Sequence, residues 1–262
     1  MSFALILQPE RILVNYPAIM LIFSFALLML GSEIGDRFRK KSRPFKDTER
    51  EDYTTVVGAT LTLLGLLIGF SFSMAISRYD QRKNYEEAEA NAIGTEYVRA
   101  DLLPPQNAAR VKDLLTKYTE ERILFYKSRR ESELAKISTD TAQLQGELWT
   151  AVAGPASAQQ TPVMALVASG MNDVLNSQGY TQAAWWNRIP FAAWALMLLI
   201  AFCCNALIAY GARETDRRIF LILPIAVSIA FFLIADIDSP RHGAIPVSPQ
   251  NLTALYGTLR GS

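Results

Sequence analysis

Cysteine and histidine are almost missing from this 262-residue chain: it has Cys203, Cys204 and a single histidine, His242. Adjacent cysteines inside an apolar block cannot close an ordinary structural disulfide with each other, so they give no redox compartment. Without clustered Cys and His there is no ligand set for zinc. Net charge is missing as well, with 26 basic residues against 25 acidic ones. Basic residues are not interleaved with aromatics either, so nucleic acid is excluded as a partner. There is no nucleophile elbow, no phosphate-binding glycine loop and no HExxH. Catalysis needs a nucleophile, base or metal held in a pocket, so the chain does not read as an enzyme and no cofactor is expected. Runs of alternating β-branched residues are absent too, which makes the expected fold all-α.

What the chain does have is long apolar runs. Half of its residues are hydrophobic, and they fall into a few uncharged blocks, which makes this a membrane protein with the lipid bilayer as a partner. The run on which the rest turns is 54–76, TTVVGATLTLLGLLIGFSFSMAI, with 23 residues and no charge. That length crosses a hydrocarbon core of roughly 30 Å at ~1.5 Å per residue. It passes without proline or turn residues into SRYDQRKNYEEAEANAIGTEYVRA. One helix is therefore expected to leave the bilayer and continue in water to about Arg99.

Two stripes run along this helix. Gly65, Gly69, Ser73 and Ser77 recur every fourth residue, and Leu64, Ile68 and Phe72 form a bulky stripe beside them. Small residues at that spacing let a neighbouring backbone approach closely, as in any tight membrane bundle. The alternative is a pore-lining helix, with one stripe against neighbours and the other narrowing the lumen. Arg78, Asp80 and Arg82 at the inner end are either a solvated face or a charged pore mouth.

Four transmembrane helices are expected, with a helical extramembrane domain inserted between the second and third. The domains are 12–76, the first helix pair; 77–188, the helical domain; 189–237, the second pair; and 238–262, a polar tail. The first span reads as retained rather than as a signal peptide. It starts near Tyr16 with Pro17 in its first turn. Gly31 and Ser32 are expected to end it, leaving 32–53 as a basic connection. Trp185 and Trp186, with Asn187 and Arg188 after them, suggest rings and a snorkelling cation at headgroup level. Pro190 opens the third span, and Pro224 is expected to bend the fourth.

Within the extramembrane domain, Pro104 and Pro105 break the helix that descends from the membrane. Amphipathic runs follow at 109–125 and around Leu144, Leu148 and Val152, the second stopping at Gly154-Pro155. Thr161 can cap a third helix, with Pro162 at its first position and Val163, Leu166, Val167, Val174 and Leu175 inward.

No full charge lies in the centre of any span, which speaks against a proton pump or voltage sensor. A pore closed by a hydrophobic constriction needs none. Asp236 and Asp238 leave the fourth span at a helix C-terminus, where carboxylates face the negative end of the macrodipole. A compensating partner is expected, either a metal cation or a basic side chain such as Arg78 or Arg82. The arginine is preferred, because two acids without an oxygen-rich loop make a poor calcium site.

Three stretches resemble the bacterial bestrophin-like membrane proteins: LLGLLIGFSFSMAISRYDQR at 63–82, MNDVL followed by WWNRIP, and IDSPRHGAIPVS. The resemblance implies an ion channel, a homo-oligomer and specifically a pentamer, with inorganic ions as the transported species. It also implies that the second span lines the pore, with a narrow neck of residues four apart. Leu64, Ile68 and Phe72 are similar to that neck in kind and spacing. A shift of one residue would put Gly65, Gly69 and Ser73 there. The chain departs from true bestrophins in two places. Gln81, Arg82 and Lys83 stand where paired aromatics are usual, and only Asp236 and Asp238 stand for the acidic calcium clasp. The family orientation in a bacterial inner membrane puts the helical domain in the cytoplasm. Basic residues favour the reverse, ten in the two short loops against six near the other span ends. A membrane-held helical sensor or scaffold without conduction stays open, since the small-residue stripe fits it equally.

Overall fold

The computed structural model describes residues 15–43, 45–212 and 219–261. Among the described residues every regular element is a helix. We number the α-helices α1 Pro17–Lys41, α2 Asp47–Arg99, α3 Pro105–Lys127, α4 Glu131–Ala158, α5 Pro162–Trp186, α6 Phe191–Gly211, α7 Ile222–Asp238 and α8 Gln250–Gly261. Single 3-10 turns precede α3 at Ala100–Leu102 and α7 at Ile219–Leu221. The chain divides into two compact units, Met1–Arg78 with Arg188–Pro246, and Tyr79–Asn187 with Val247–Ser262. Helix α2 is continuous through the boundary between Arg78 and Tyr79.

The first unit is the apolar one. Among the described residues three helical stretches are long and apolar enough to cross a membrane: Pro17–Lys41, Asp47–Leu102 and Pro162–Gly211, the last containing α6. Helix α7 has 17 residues, about 25 Å at the α-helical rise. The core of this unit is built from Met20, Leu28, Leu64, Trp194, Met197 and Phe231. Tyr16 and Pro17 start α1 as expected.

Its end differs from the expectation. The helix continues past Gly31 and Ser32 to Lys41. A Cβ on Gly31 would lie 2.8 Å from the Phe202 carbonyl oxygen, and one on Gly35 would overlap the Ala206 carbonyl. These two glycines let α1 and α6 approach closely rather than stop the helix. The predicted connection at 32–53 shrinks to residues 42–46, because α2 already begins at Asp47. At the far end of α6, Tyr53 Oη donates to the Leu207 carbonyl and Arg50 Nη2 donates to that of Gly211 at 3.3 Å. Arg50 thereby satisfies the Gly211 carbonyl, one of those that a helix C-terminus leaves without partners. Pro224 falls in the first turn of α7, where its missing N–H costs nothing, so it does not bend the helix interior.

The second unit packs α3, α4, α5, α8 and the polar half of α2 around Ile93, Leu115, Tyr118, Leu148, Val167 and Met171. Pro105 opens α3, and Thr161 Oγ1 accepts a hydrogen bond from Met164 N at 3.2 Å as the cap of α5. Gly154 and Pro155 do not stop α4, which runs one turn further. On α5 the inward register is Met164, Val167, Met171 and Val174, while Val163 and Leu166 are exposed. Trp185 is not a headgroup anchor. It is buried among Phe125 and Tyr126, with ring centroids 4.9 and 5.4 Å away. The polar tail contains α8, whose Leu252 is fully buried in this unit's core.

Candidate functional site

Helix α2 carries most of the residues singled out from the sequence, and it has two contrasting faces. In the first unit Leu64, Ser71 and Ala75 are buried; in the second, Arg82, Glu86, Glu89, Ile93 and Glu96 are. Steps of three, four and seven residues keep this set on one side of a helix with 3.6 residues per turn. The uncharged span leaves most of its surface uncovered. Only 17% of its most apolar 18-residue stretch is buried, against 33% for α1.

The three residues expected to form the constriction are not equally exposed. Leu64 is 2% exposed and belongs to the core of the first unit, Ile68 is half-buried against that core, and Phe72 is 38% exposed. The small stripe looks outward: a Cβ on Gly65 or Gly69 would meet nothing within 4 Å, and Ser73 is exposed. Opposite Leu64 lie Thr62, Leu66 and Phe70, the last two 53% and 61% exposed. Thr62 Oγ1 donates to the Gly58 carbonyl at 2.9 Å, so its hydroxyl is satisfied within the helix.

Arg78, Asp80 and Arg82 do not form a cluster. Asp80 is exposed, whereas Arg82 is 1% exposed and its Nε donates to the Ala184 carbonyl at 3.4 Å. Arg78 Nη1 lies 3.7 Å from Asp238 Oδ1. The Asp238 carboxylate also accepts from Arg188 Nε at 3.3 Å and from the Ile189 N–H at 3.3 Å. Arg188 reaches Asn15 Oδ1 as well, so it is tied into a part-buried polar network rather than snorkelling. The compensating arginine expected for the C-terminal end of α7 is thus present twice over. Nothing in the sequence pattern singled out Arg188 for this. Its place two residues before Pro190 was the available signal, since it tethers the start of α6.

Asp236 solves the same electrostatic problem differently. Its two oxygens accept the backbone N–H groups of Ala244 and Ile245, at 2.6 and 3.0 Å. Calcium wants six to eight uncommitted oxygen donors, and these two carboxylates are already engaged by N–H groups and guanidiniums. That donor set does not fit a calcium ion. Among the described residues no group of three or more His, Cys, Asp and Glu side chains is placed to hold a metal.

In the second unit the inward face of α2 is ionic. Glu89 pairs with Arg122 and accepts from Thr181 Oγ1 at 3.1 Å. Burial pushes the nearby Tyr118 hydroxyl well above the usual phenol value. Glu86 accepts the Leu252 N–H at 2.9 Å and Asn251 Nδ2 at 2.7 Å, capping the start of α8. Of the three residues for which a solvated face was one reading, Arg82 is buried, and with Glu86 and Glu89 it belongs to the polar core of this unit.

The family model of the Bestrophin-like domain matches residues 22–252. The chain belongs to the bestrophin-like family. The fold agrees. A bacterial bestrophin homolog from Klebsiella pneumoniae superposes with a TM-score of 0.63 at 13% identity, covering 92% of this chain and 94% of that one. A single-substitution variant of it gives 0.63 at 14% identity, with 92% and 94% covered. No curated protein matches the sequence. At such identities the solved structures speak for the fold alone, and bestrophin-like membership rests on the family match.

Proposed function

We propose that this bestrophin-like chain is one subunit of a homo-oligomeric, five-fold ion channel whose passage is lined by the outward face of α2. One observation carries the reading: the composition of that face. The uncovered surfaces of α6 and α7 are bulky and aliphatic, with Leu196, Leu199, Ile222, Ile225, Ile229 and Leu233, as lipid requires. The uncovered surface of α2 interleaves bulky residues such as Val56, Leu63, Leu66 and Phe70 with Gly58, Thr62, Gly65, Gly69 and Ser73, small and hydroxyl residues that suit close protein contact or a wet passage. Within it, Thr62, Leu66 and Phe70 repeat every fourth residue on the side away from the buried Leu64, and we assign the constriction to them. Ser73 lies on the same side as the constriction, Gly65 and Gly69 are the flank on which neighbouring copies pack, and Phe72 lies nearer Leu64. Leu64 and Ile68 support the helix from behind. A dewetted apolar neck of this kind gates without a charged group.

On this reading the chain has four spans, α7 among them, in a bacterial inner membrane, with the second unit on the cytoplasmic side; family likeness supports that orientation. The scaffold reading shares the small stripe and leaves the exposed Leu66 and Phe70 facing lipid. Oligomeric state in detergent, imaged down the symmetry axis, separates the two. A ring with an axial passage supports the channel, and a compact dimer supports the scaffold.

A further inference from the structure

The second unit contains a carboxylate that the channel reading does not use. Glu96 lies on the polar half of α2, about three turns beyond the buried Glu86. Its side chain is 0% exposed, and neither carboxylate oxygen has a hydrogen-bond partner. Leaving a charged group buried and without hydrogen bonds is costly, and a protein relieves that cost by protonating it. Space for the side chain is made by Gly170 of α5, where an added Cβ would overlap both Glu96 Oε2 and Arg99 Nη1.

The charged groups around it are few. On α2 itself Arg99 Nη1 stands 4.0 Å from Oε2, beyond hydrogen-bond reach. From α5 the acidic Asp173 acts on it electrostatically. Asp101 of the 3-10 turn is taken by Lys112 of α3, at 2.6 Å. From α8 the residues beside Arg99 are Asn251, Ala254 and Leu255, all uncharged.

We propose that the Glu96 carboxyl is a proton-binding site that couples pH to conduction through α2. The second half of this statement rests on the channel reading; the first does not. Burial, helped by Asp173 and opposed by Arg99, pushes the Glu96 carboxyl up from 4.5 to about 7. Near neutrality the site therefore changes between a neutral carboxyl and a buried anion that draws on Arg99. Both residues sit on the continuous helix that carries Leu66 and Phe70. A change of charge there alters the packing of α2 against α5 at the point where Gly170 leaves no slack.

The test uses the full chain and its Glu96→Gln variant, whose amide mimics the protonated side chain in shape and charge. In detergent, the wild type is expected to lose thermal stability relative to the variant as pH rises from 4.5 to about 7 and to lose no more above it. In liposomes, wild-type ion flux is expected to change several-fold across neutrality, and the variant to hold the low-pH value throughout. Parallel stability profiles for the two proteins would overturn the proton site. Divergent stability profiles with an unaltered pH dependence of flux in the variant would overturn the coupling. Divergent stability with no flux from either protein at any pH would overturn the channel reading and leave the proton site standing.

Discussion

Leu64 and Leu66 stand about 200° apart around one helix at 3.6 residues per turn, and only the second is available to a partner. Leu64 is 2% exposed and packs in the protomer's apolar core, whereas Leu66 is 53% exposed. Replacing Leu64 with Ala should therefore destabilise the folded protein by about 2–5 kcal/mol, the cost of a cavity in a packed core. Leu66→Ala should change protomer stability by no more than about 0.5 kcal/mol, as for other uncovered positions. Thermal denaturation in detergent compares them, and equal losses would mean that α2 is rotated from the orientation described here.

The glycines make a second contrast. An alanine at Gly35 would push against the Ala206 carbonyl, whereas one at Gly69 would meet nothing within the protomer. Gly35→Ala should cost about 1–3 kcal/mol through overpacking. Gly69→Ala should leave protomer unfolding unchanged and weaken the oligomer instead. Unfolding midpoints paired with size-exclusion profiles read both effects.

Asp238 anchors Arg78 and Arg188 at the end of α7. Asp238→Asn leaves two guanidiniums without their counter-charge. Their side chains are 17% and 21% exposed, so solvent softens the penalty. A loss of about 3 kcal/mol is expected, at the low end for breaking a buried pair. Calcium titration by calorimetry should show no binding heat that depends on Asp236 or Asp238. Tight binding lost on changing both to Asn would contradict the arginine assignment.

Much of the chain's layout was legible from local signals. The Tyr16-Pro17, Pro104-Pro105 and Thr161-Pro162 starts stand where proline and capping chemistry put them. So did the long helix to Arg99, because nothing along it breaks a helix. Which way that helix faces was not legible. In a run where nearly every residue is apolar, hydrophobic periodicity vanishes, and Leu64 cannot be told from Leu66. Likewise the glycine pairs Gly31/Gly35 and Gly65/Gly69 have the same spacing, and only the position of α6 decides which one is a contact. The burial of Arg82, Glu86 and Glu89 was not legible because their partners, Ala184, the N-terminus of α8 and Arg122, are distant in sequence. Helix α8 did leave a signal, with Leu252, Leu255 and Leu259 at helical spacing in the tail.

The continuity of α2 is itself testable. Inserting two glycines after Gln81 adds about 1 kcal/mol of cost per residue in a helix interior and rotates everything beyond by about 200°. Stability should fall, and the pH response of flux should be lost while flux itself persists. An insertion that leaves both unchanged would mean that α2 is not one rigid helix there.

The assignment of the constriction to Thr62, Leu66 and Phe70 is tested most directly by ion flux into liposomes holding the purified oligomer, with Phe70→Ala beside the wild type. Removing the ring from an apolar neck widens it and removes its barrier to water and ions. The Phe70→Ala oligomer should pass ions several-fold faster than the wild type. Unchanged flux from a folded, intact Phe70→Ala oligomer would contradict the assignment of that face to the pore.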